Sequence, residues 1–463
     1  MSEKFLGITV LGDFILCEGA DAVLENVLRA GATAVACNPT VTSEADENTG
    51  SFQPPIDGGS SPRLFDRPLY GKQSLWVRSG VSYRPNADFY QNSPYSPRQP
   101  NDLTDAHGAV IGEFIDKSIA SGLKVYFQIG AAQPSGLRDE DRPLLPNGDI
   151  PPNRMADTGS LASAAIRAYN LAYIKDLLAT YPNITGFRPD WPENPCYTLG
   201  EVFQDFSPHV RDWAEDNGFD FDRIQSEVGL LYDYLHGNLT TDNLFDLASP
   251  NRGKTTIVSM LVRYPGIADW LRLKAALSND TLREWRDAIT DAGGAAKELS
   301  ANAFMVPYSN ATGLDFQGAA EYCDSISPKL YTMHWSLMVK FWGDELLKHN
   351  ADLDEETLVA ALVNLMDLAD GDEAGTRIAD YGYPNPDEPH PIPDNPQLRK
   401  IKQVTTTVAG RAAVYPLVHG YGPLDDFARR LNLVADSGGA GLWINRYGYL
   451  SDAKLDVVTK VWN

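Results

Sequence analysis

The sequence predicts a (β/α)8 barrel of the α/β class, a cylinder of eight parallel strands inside a ring of helices. Three observations predict it. Short β-rich runs alternate with helical patterns along the chain, the mark of repeated βαβ units and a parallel sheet. Several runs, such as VYFQI and AAVYPLV, are apolar on consecutive residues, as strands covered on both faces are. Eight such units can be counted, and no Gly-rich phosphate fingerprint follows the first, which argues against a dinucleotide-binding fold.

The first strand is read over 5–11 and is followed by a helix over 20–30, where Val23, Leu24, Val27 and Leu28 recur at helical spacing. Gly31 then turns the chain into a second strand over 33–37. A helix around 110–120, stopped by Ser121-Gly122, precedes the third strand at 124–129. A helix over 162–181 precedes the fourth at 184–188. The remaining strands are read over 301–306, 325–332, 412–418 and 440–444, with a last helix over 452–461. The whole chain, 1–463, reads as one barrel domain with insertions at about 40–107, 130–160, 207–295 and 336–400. Barrels of this class tolerate such lengths, and the loops after their strands build the catalytic face. Loops this long are functional walls or lids more often than spacers.

Composition narrows the function. Hydrophobic residues make up 43% and charged residues 22% of the chain, as in a folded globular protein. A net charge of −23 repels nucleic acid and anionic membranes, so neither is an expected partner. No run approaches the ~18 apolar residues of a membrane span. The start, Met1-Ser2-Glu3-Lys4, lacks the features of a secretory signal, so a cytoplasmic location is expected. The four cysteines, Cys17, Cys37, Cys196 and Cys323, have no zinc or CxxC spacing and read as reduced thiols. A homo-oligomer is left open.

The sharpest motif is Gly186-Phe187-Arg188-Pro189-Asp190-Trp191-Pro192-Glu193, at the end of the fourth strand. Glycosidic bond cleavage uses two carboxyl groups, one to protonate the leaving oxygen and one to attack the anomeric carbon or activate water. Asp190 and Glu193 supply such a pair, and Trp191 offers a ring for the C–H face of a sugar. Arg188 is expected beside Asp190 as a charge partner. The sixth strand adds Lys329 and Tyr331, which share one face at period two and point inward. A Lys inside a barrel is costly unless paired, and Asp190, two strands away, is a partner within reach. His334 and Trp335 follow. The seventh strand ends in His419 and the eighth in Asn445-Arg446-Tyr447, while the first supplies Asp13 and Glu18 and the third Gln128 and Gln133.

The G-F-R-x-D pattern resembles the fourth-strand segment of the alpha-amylase family, and the D-W pair resembles that of the alpha-galactosidase clan. That resemblance covers fewer than ten residues. Nearly end to end, the chain resembles a bacterial glycoside-hydrolase-like (β/α)8 barrel family of inferred activity. The shared segments are GITVLGDFI-x-x-EG, D-W-P-E, K-L-Y-T-M-H-W, HGYGP and NRYGYLSD. The resemblance implies Asp190 as nucleophile. Two departures bear on the acid/base. No Glu follows FMVPYSN after the fifth strand, and the sixth ends in Tyr331-Thr332-Met333-His334. Glu193 is then the first candidate by proximity and His334 the second.

Three readings result. The leading one is a glycoside hydrolase acting on a small oligosaccharide or glycoside, with no metal or other cofactor. Substrate contacts are assigned to Arg188, Trp191, Lys329, Tyr331, Trp335, His419, Asn445, Arg446 and Tyr447. The second is a metal-dependent sugar isomerase or hydrolase using Asp13, Asp190, His334 and His419, though none of the 7 His falls in an HxH or HxxxH spacing. The third is a carbohydrate-binding barrel without catalysis.

Overall fold

The computed structural model describes residues 4–54 and 63–462. Its centre is a closed parallel barrel, so the expected (β/α)8 fold is the fold observed. The strands are Phe5–Thr9, Ala34–Cys37, Lys124–Gly130, Gly186–Asp190, Glu298–Phe304 and Ser325–Leu330, then a seventh in two pieces, Ala413–Val414 and Leu417–His419, and lastly Gly441–Asn445. Each bonds to the next in chain order, and Phe5 pairs with Gly441 to close the cylinder. The seventh strand breaks at Tyr415-Pro416, where proline offers no N–H to the ladder. The fourth strand is expected at 184–188 and found at Gly186–Asp190, which places Asp190 on the strand itself.

The interior is filled by a few large side chains against very small ones. Trp443 lies so close to Gly7 that a Cβ there would meet its ring at 2.3 Å. Ala34 and Ala36 pack around it, with Tyr126, Tyr331 and Leu417. At the lower end the Phe5 and Tyr415 rings stack at 4.1 Å. Large-against-small complementarity fills the cylinder to interior density and leaves a core rather than a pore.

The helices bury one face each on this cylinder. Val23, Leu24 and Val27 are the buried face of Ala20–Arg29. Ala164–Thr180 starts at Ser163, whose Oγ accepts the Ile166 N–H at 3.3 Å. Pro265–Gly293 packs inward through Trp285, whose ring meets Phe187 of the fourth strand edge-on at 6.4 Å. This long helix is therefore the outer-layer helix of the fourth unit, although its residues fall in the stretch read as an insertion at 207–295. The insertion proper comprises Pro208–Asp216, Phe221–Leu235, Thr241–Leu247 and Pro250–Arg263. The same correction applies at 336–400. Thr332–His349 starts directly after the sixth strand, with Glu355–Met366 and Asp394–Val408 behind it.

The stretch at 40–107, read as loop, contains a three-stranded antiparallel sheet of Thr40–Glu44, Leu75–Val81 and Ser51–Gln53. Two of its strands have five residues or fewer, too few to carry a clear period-two signal. Among the described residues no helix is long and apolar enough to cross a membrane.

Candidate active site

Strand alternation sends Phe187 outward and Arg188 and Asp190 inward. Arg188 lies one layer below the mouth and is fully buried. Its guanidinium donates to Ser300 Oγ at 2.9 Å, Ser327 Oγ at 3.1 Å and Asn302 Oδ1 at 2.5 Å, and stacks on Trp443 at 3.7 Å. Burial pulls it down to about 9, so it stays charged at neutral pH. Its two terminal nitrogens are spent inside the barrel, below the mouth, which corrects its assignment as a substrate contact.

Asp190 keeps 19% of its side-chain surface open. The partner next to it is Lys329 of the sixth strand, with Nζ 2.6 Å from Oδ1 and a side chain only 4% exposed. Gln128 of the third strand donates to Oδ2 at 3.4 Å. The Lys329 ammonium also lies 4.9 Å from the Trp191 ring centre and 5.0 Å from that of Phe304. A carboxylate and two π faces together offset the desolvation of this cation. Trp191 adopts a φ of 50°, a left-handed backbone that a bulky residue takes only under constraint. The expected Lys329–Asp190 pairing is thus present, and a strained residue follows it.

Glu193 is 1% exposed. Its Oε1 accepts the Phe304 N–H at 2.6 Å, and its Oε2 accepts the Thr312 hydroxyl. Burial pushes its carboxyl up to about 7, against the pull of those two hydrogen bonds. It joins the fourth strand to the fifth from inside.

The opposite wall is aromatic. His334, in the first turn of Thr332–His349, meets Tyr197, Tyr331 and Tyr383 edge-on at 5.4, 5.4 and 5.7 Å. Tyr331 meets His419 at 5.0 Å. The Tyr421 N–H donates to His419 Nδ1 at 3.1 Å, which puts the proton of the neutral ring on Nε2. The eighth strand ends at Asn445, and Arg446 follows it. Tyr197 and Tyr383 were not singled out from the sequence. Tyr197 lies four residues past Glu193, and Tyr383 is carried in by the Pro-rich loop, its face covered by the Arg63 guanidinium at 3.8 Å.

Two other assigned contacts lie elsewhere. Trp335 is buried behind the wall, against Tyr308 and 5.4 Å from Lys400 Nζ. Tyr447 is buried, donating to Glu18 at 2.7 Å and accepting from Asn26 at 2.8 Å. Glu18 also holds Arg67 at 2.8 Å, so both residues serve the fold. Cys196 is buried, and burial pushes its thiol well above the ordinary value, which keeps it from acting as a thiolate.

The mixed metal site expected from Asp13, Asp190, His334 and His419 does not assemble. Among the described residues no three His, Cys, Asp or Glu side chains are placed to hold a metal ion. Asp13 is buried, and burial raises its carboxyl against its own backbone N–H, the Thr42 hydroxyl and the Arg446 charge.

No family model and no curated sequence matches the chain. Solved structures do match. A beta-galactosidase from the psychrophilic Marinomonas ef1 aligns with a TM-score of 0.51 at 10% identity, over 99% of this chain and 59% of that one. A polyextremophilic beta-galactosidase from the Antarctic haloarchaeon Halorubrum lacusprofundi aligns at 0.52 and 10% identity, over 99% and 57%. The chain spans less than two thirds of the length of either. At this identity the likeness is one of fold: the chain shares the barrel of these glycoside hydrolases.

Proposed function

We propose that the chain is a glycoside hydrolase acting on a small, neutral oligosaccharide or glycoside, with Asp190 as nucleophile. The observation that supports this most is the setting of Asp190: a partly open carboxylate at the barrel mouth, beside Trp191 and facing a wall of Tyr and His. Trp191 suits the C–H face of a sugar ring. Lys329 and Gln128 fix the two carboxylate oxygens and so orient the attack. Asp190 would attack the anomeric carbon as the bond to the leaving oxygen breaks and that oxygen takes a proton. Water would then displace Asp190, giving its proton back to the acid/base.

Glu193 is the first candidate for that proton, because a carboxyl at about 7 is half protonated at neutral pH. Its two hydrogen bonds to Phe304 and Thr312 favour His334 as the second. The sign of the pH dependence follows from the acid role. Activity should be full below about 7 and fall by one proton's slope as pH rises through it. Glu193→Gln should remove this limb. It should also cut turnover of glycosides with sugar leaving groups by roughly 10²–10⁴-fold, and nitrophenyl glycosides far less, since nitrophenolate leaves without a proton. A limb that survives Glu193→Gln and disappears in His334→Asn moves the role to His334.

Hydrolysis of a panel of nitrophenyl α- and β-glycosides, with and without chelator, tests the reading as a whole. Turnover unaffected by chelator is the expected result. Turnover lost to chelator favours the metal-dependent reading, and silence across a panel that the protein nevertheless binds favours a binding barrel.

A further inference from the structure

Beside the mouth, under the insertion that follows the second strand, lies a cavity of about 250 Å³. Tyr83 and Tyr90 of that insertion and Tyr169 and Tyr173 of the Ala164–Thr180 helix line it, with the Tyr90 and Tyr169 rings in contact at 5.8 Å, and Gln128 and Gln133 add amides to the wall. The cavity adjoins the reaction centre along the third strand. Gln128 lines it and also donates to Asp190.

We infer that this cavity is a subsite for a second, uncharged sugar ring of the substrate, the one next to the bond that Asp190 acts on. The inference rests on the glycosidase reading for its place in the reaction, but its binding chemistry stands on the cavity alone. The volume suits one ring, since it falls just below the ~300–1,000 Å³ of pockets that hold a whole drug-sized ligand. Tyr169 and Tyr173, one helical turn apart, have rings 5.6 Å apart and inclined by only 29°. Stacked on each other, they bring aromatic surface to the cavity wall on which the C–H face of a pyranose can pack. The amides of Gln128 and Gln133 are donors and acceptors for ring hydroxyls. Gln128 Oε1 is buried and accepts no hydrogen bond from the protein, an acceptor that a sugar hydroxyl would satisfy.

Charge sets the class. No Asp or Glu is among the described lining residues. A carboxylate behind them, Asp176, is buried and already accepts from the Tyr90 hydroxyl at 3.1 Å and the Asn86 N–H at 3.0 Å. The one cation among the described lining residues, Arg98, donates through Nη2 to the Ser79 carbonyl at 2.8 Å and hydroxyl at 2.7 Å. Among the described residues the wall thus holds one cation already engaged and otherwise neutral polar groups, the lining an uncharged ring requires.

The test is binding, measured by calorimetry in the Asp190→Asn background so that turnover plays no part. Lactose, maltose and cellobiose are compared with glucose and galactose. At least one disaccharide should bind about tenfold or more tightly than either monosaccharide. Tyr173→Ala and Gln133→Ala should each weaken that disaccharide by about tenfold, worth ~1.4 kcal/mol, and leave the monosaccharides unchanged. Gln133 is exposed, so its loss leaves folding intact, and unchanged monosaccharide binding verifies the site in both variants. Equal binding of mono- and disaccharides, no binding by any probe, or variants that bind like the parent would each overturn the subsite. If the glycosidase reading fails, wild type hydrolyses nothing while the disaccharide still loses affinity in the two variants.

Discussion

Asp190→Asn should lower turnover of the best glycoside by about 10³-fold or more, a loss of at least ~4 kcal/mol of transition-state stabilisation, with little change in substrate affinity. Asparagine has the shape of aspartate but cannot form the covalent intermediate, and a nucleophile acts in the transition state rather than in ground-state binding. The expected signature is therefore a fall in kcat at nearly constant KM. A variant that keeps more than a tenth of the wild-type rate would remove Asp190 from the chemistry.

The same substitution separates a reactive carboxylate from a structural ion pair. Lys329 is 4% exposed and 2.6 Å from Asp190. Asparagine leaves that ammonium buried without its counter-charge, a situation that costs about 3–5 kcal/mol. Asp190→Asn should accordingly unfold at lower denaturant concentration than wild type. Adding Lys329→Met removes the stranded charge and keeps a chain of similar volume over Trp191 and Phe304. The double variant should regain most of the stability and none of the activity. If both return together, the pair belongs to the fold and the nucleophile lies elsewhere.

The barrel was legible because its signals are local. Runs covered on both faces, helix stops such as Ser121-Gly122 and the alternation of the two need no knowledge of distant contacts. Period two also placed Lys329 inward, and the layered interior made Asp190 its partner. What stayed hidden depends on neighbours that sequence does not show. Arg188 and Asp190 share one face of one strand, yet the layer below the mouth is closed by Ser300, Asn302 and Ser327 and the layer above is open. Trp335 and Tyr447 sit five and two residues past strand ends, close enough to read as mouth residues, but the helix turn carries Trp335 behind the wall and Glu18 draws Tyr447 into the core. The tyrosine cavity joins residues from an insertion and a helix some eighty positions apart. Only the fold brings them together.

Arg188→Ala should destabilise the protein by about 3–5 kcal/mol, the range for breaking a buried charged group away from its partners. Ser327 Oγ and Asn302 Oδ1 lose their donor at once, Ser300 Oγ keeps only the hydrogen bond from Ser325, and each buried polar group left unsatisfied costs about 1–3 kcal/mol. Trp443 loses the guanidinium stacked on it, and the void opens where Gly7 cannot fill it. Arg188→Lys should recover little, because a single ammonium on a flexible stem cannot reproduce a planar fork that reaches two strands and covers a ring. Urea denaturation of the two variants gives the answer. If Arg188 instead bound substrate from the mouth, both variants would keep wild-type stability and raise KM. A stability change under ~1 kcal/mol together with a raised KM would return Arg188 to the site. A large change at unaltered KM in the folded fraction would make it the buried support beneath Asp190.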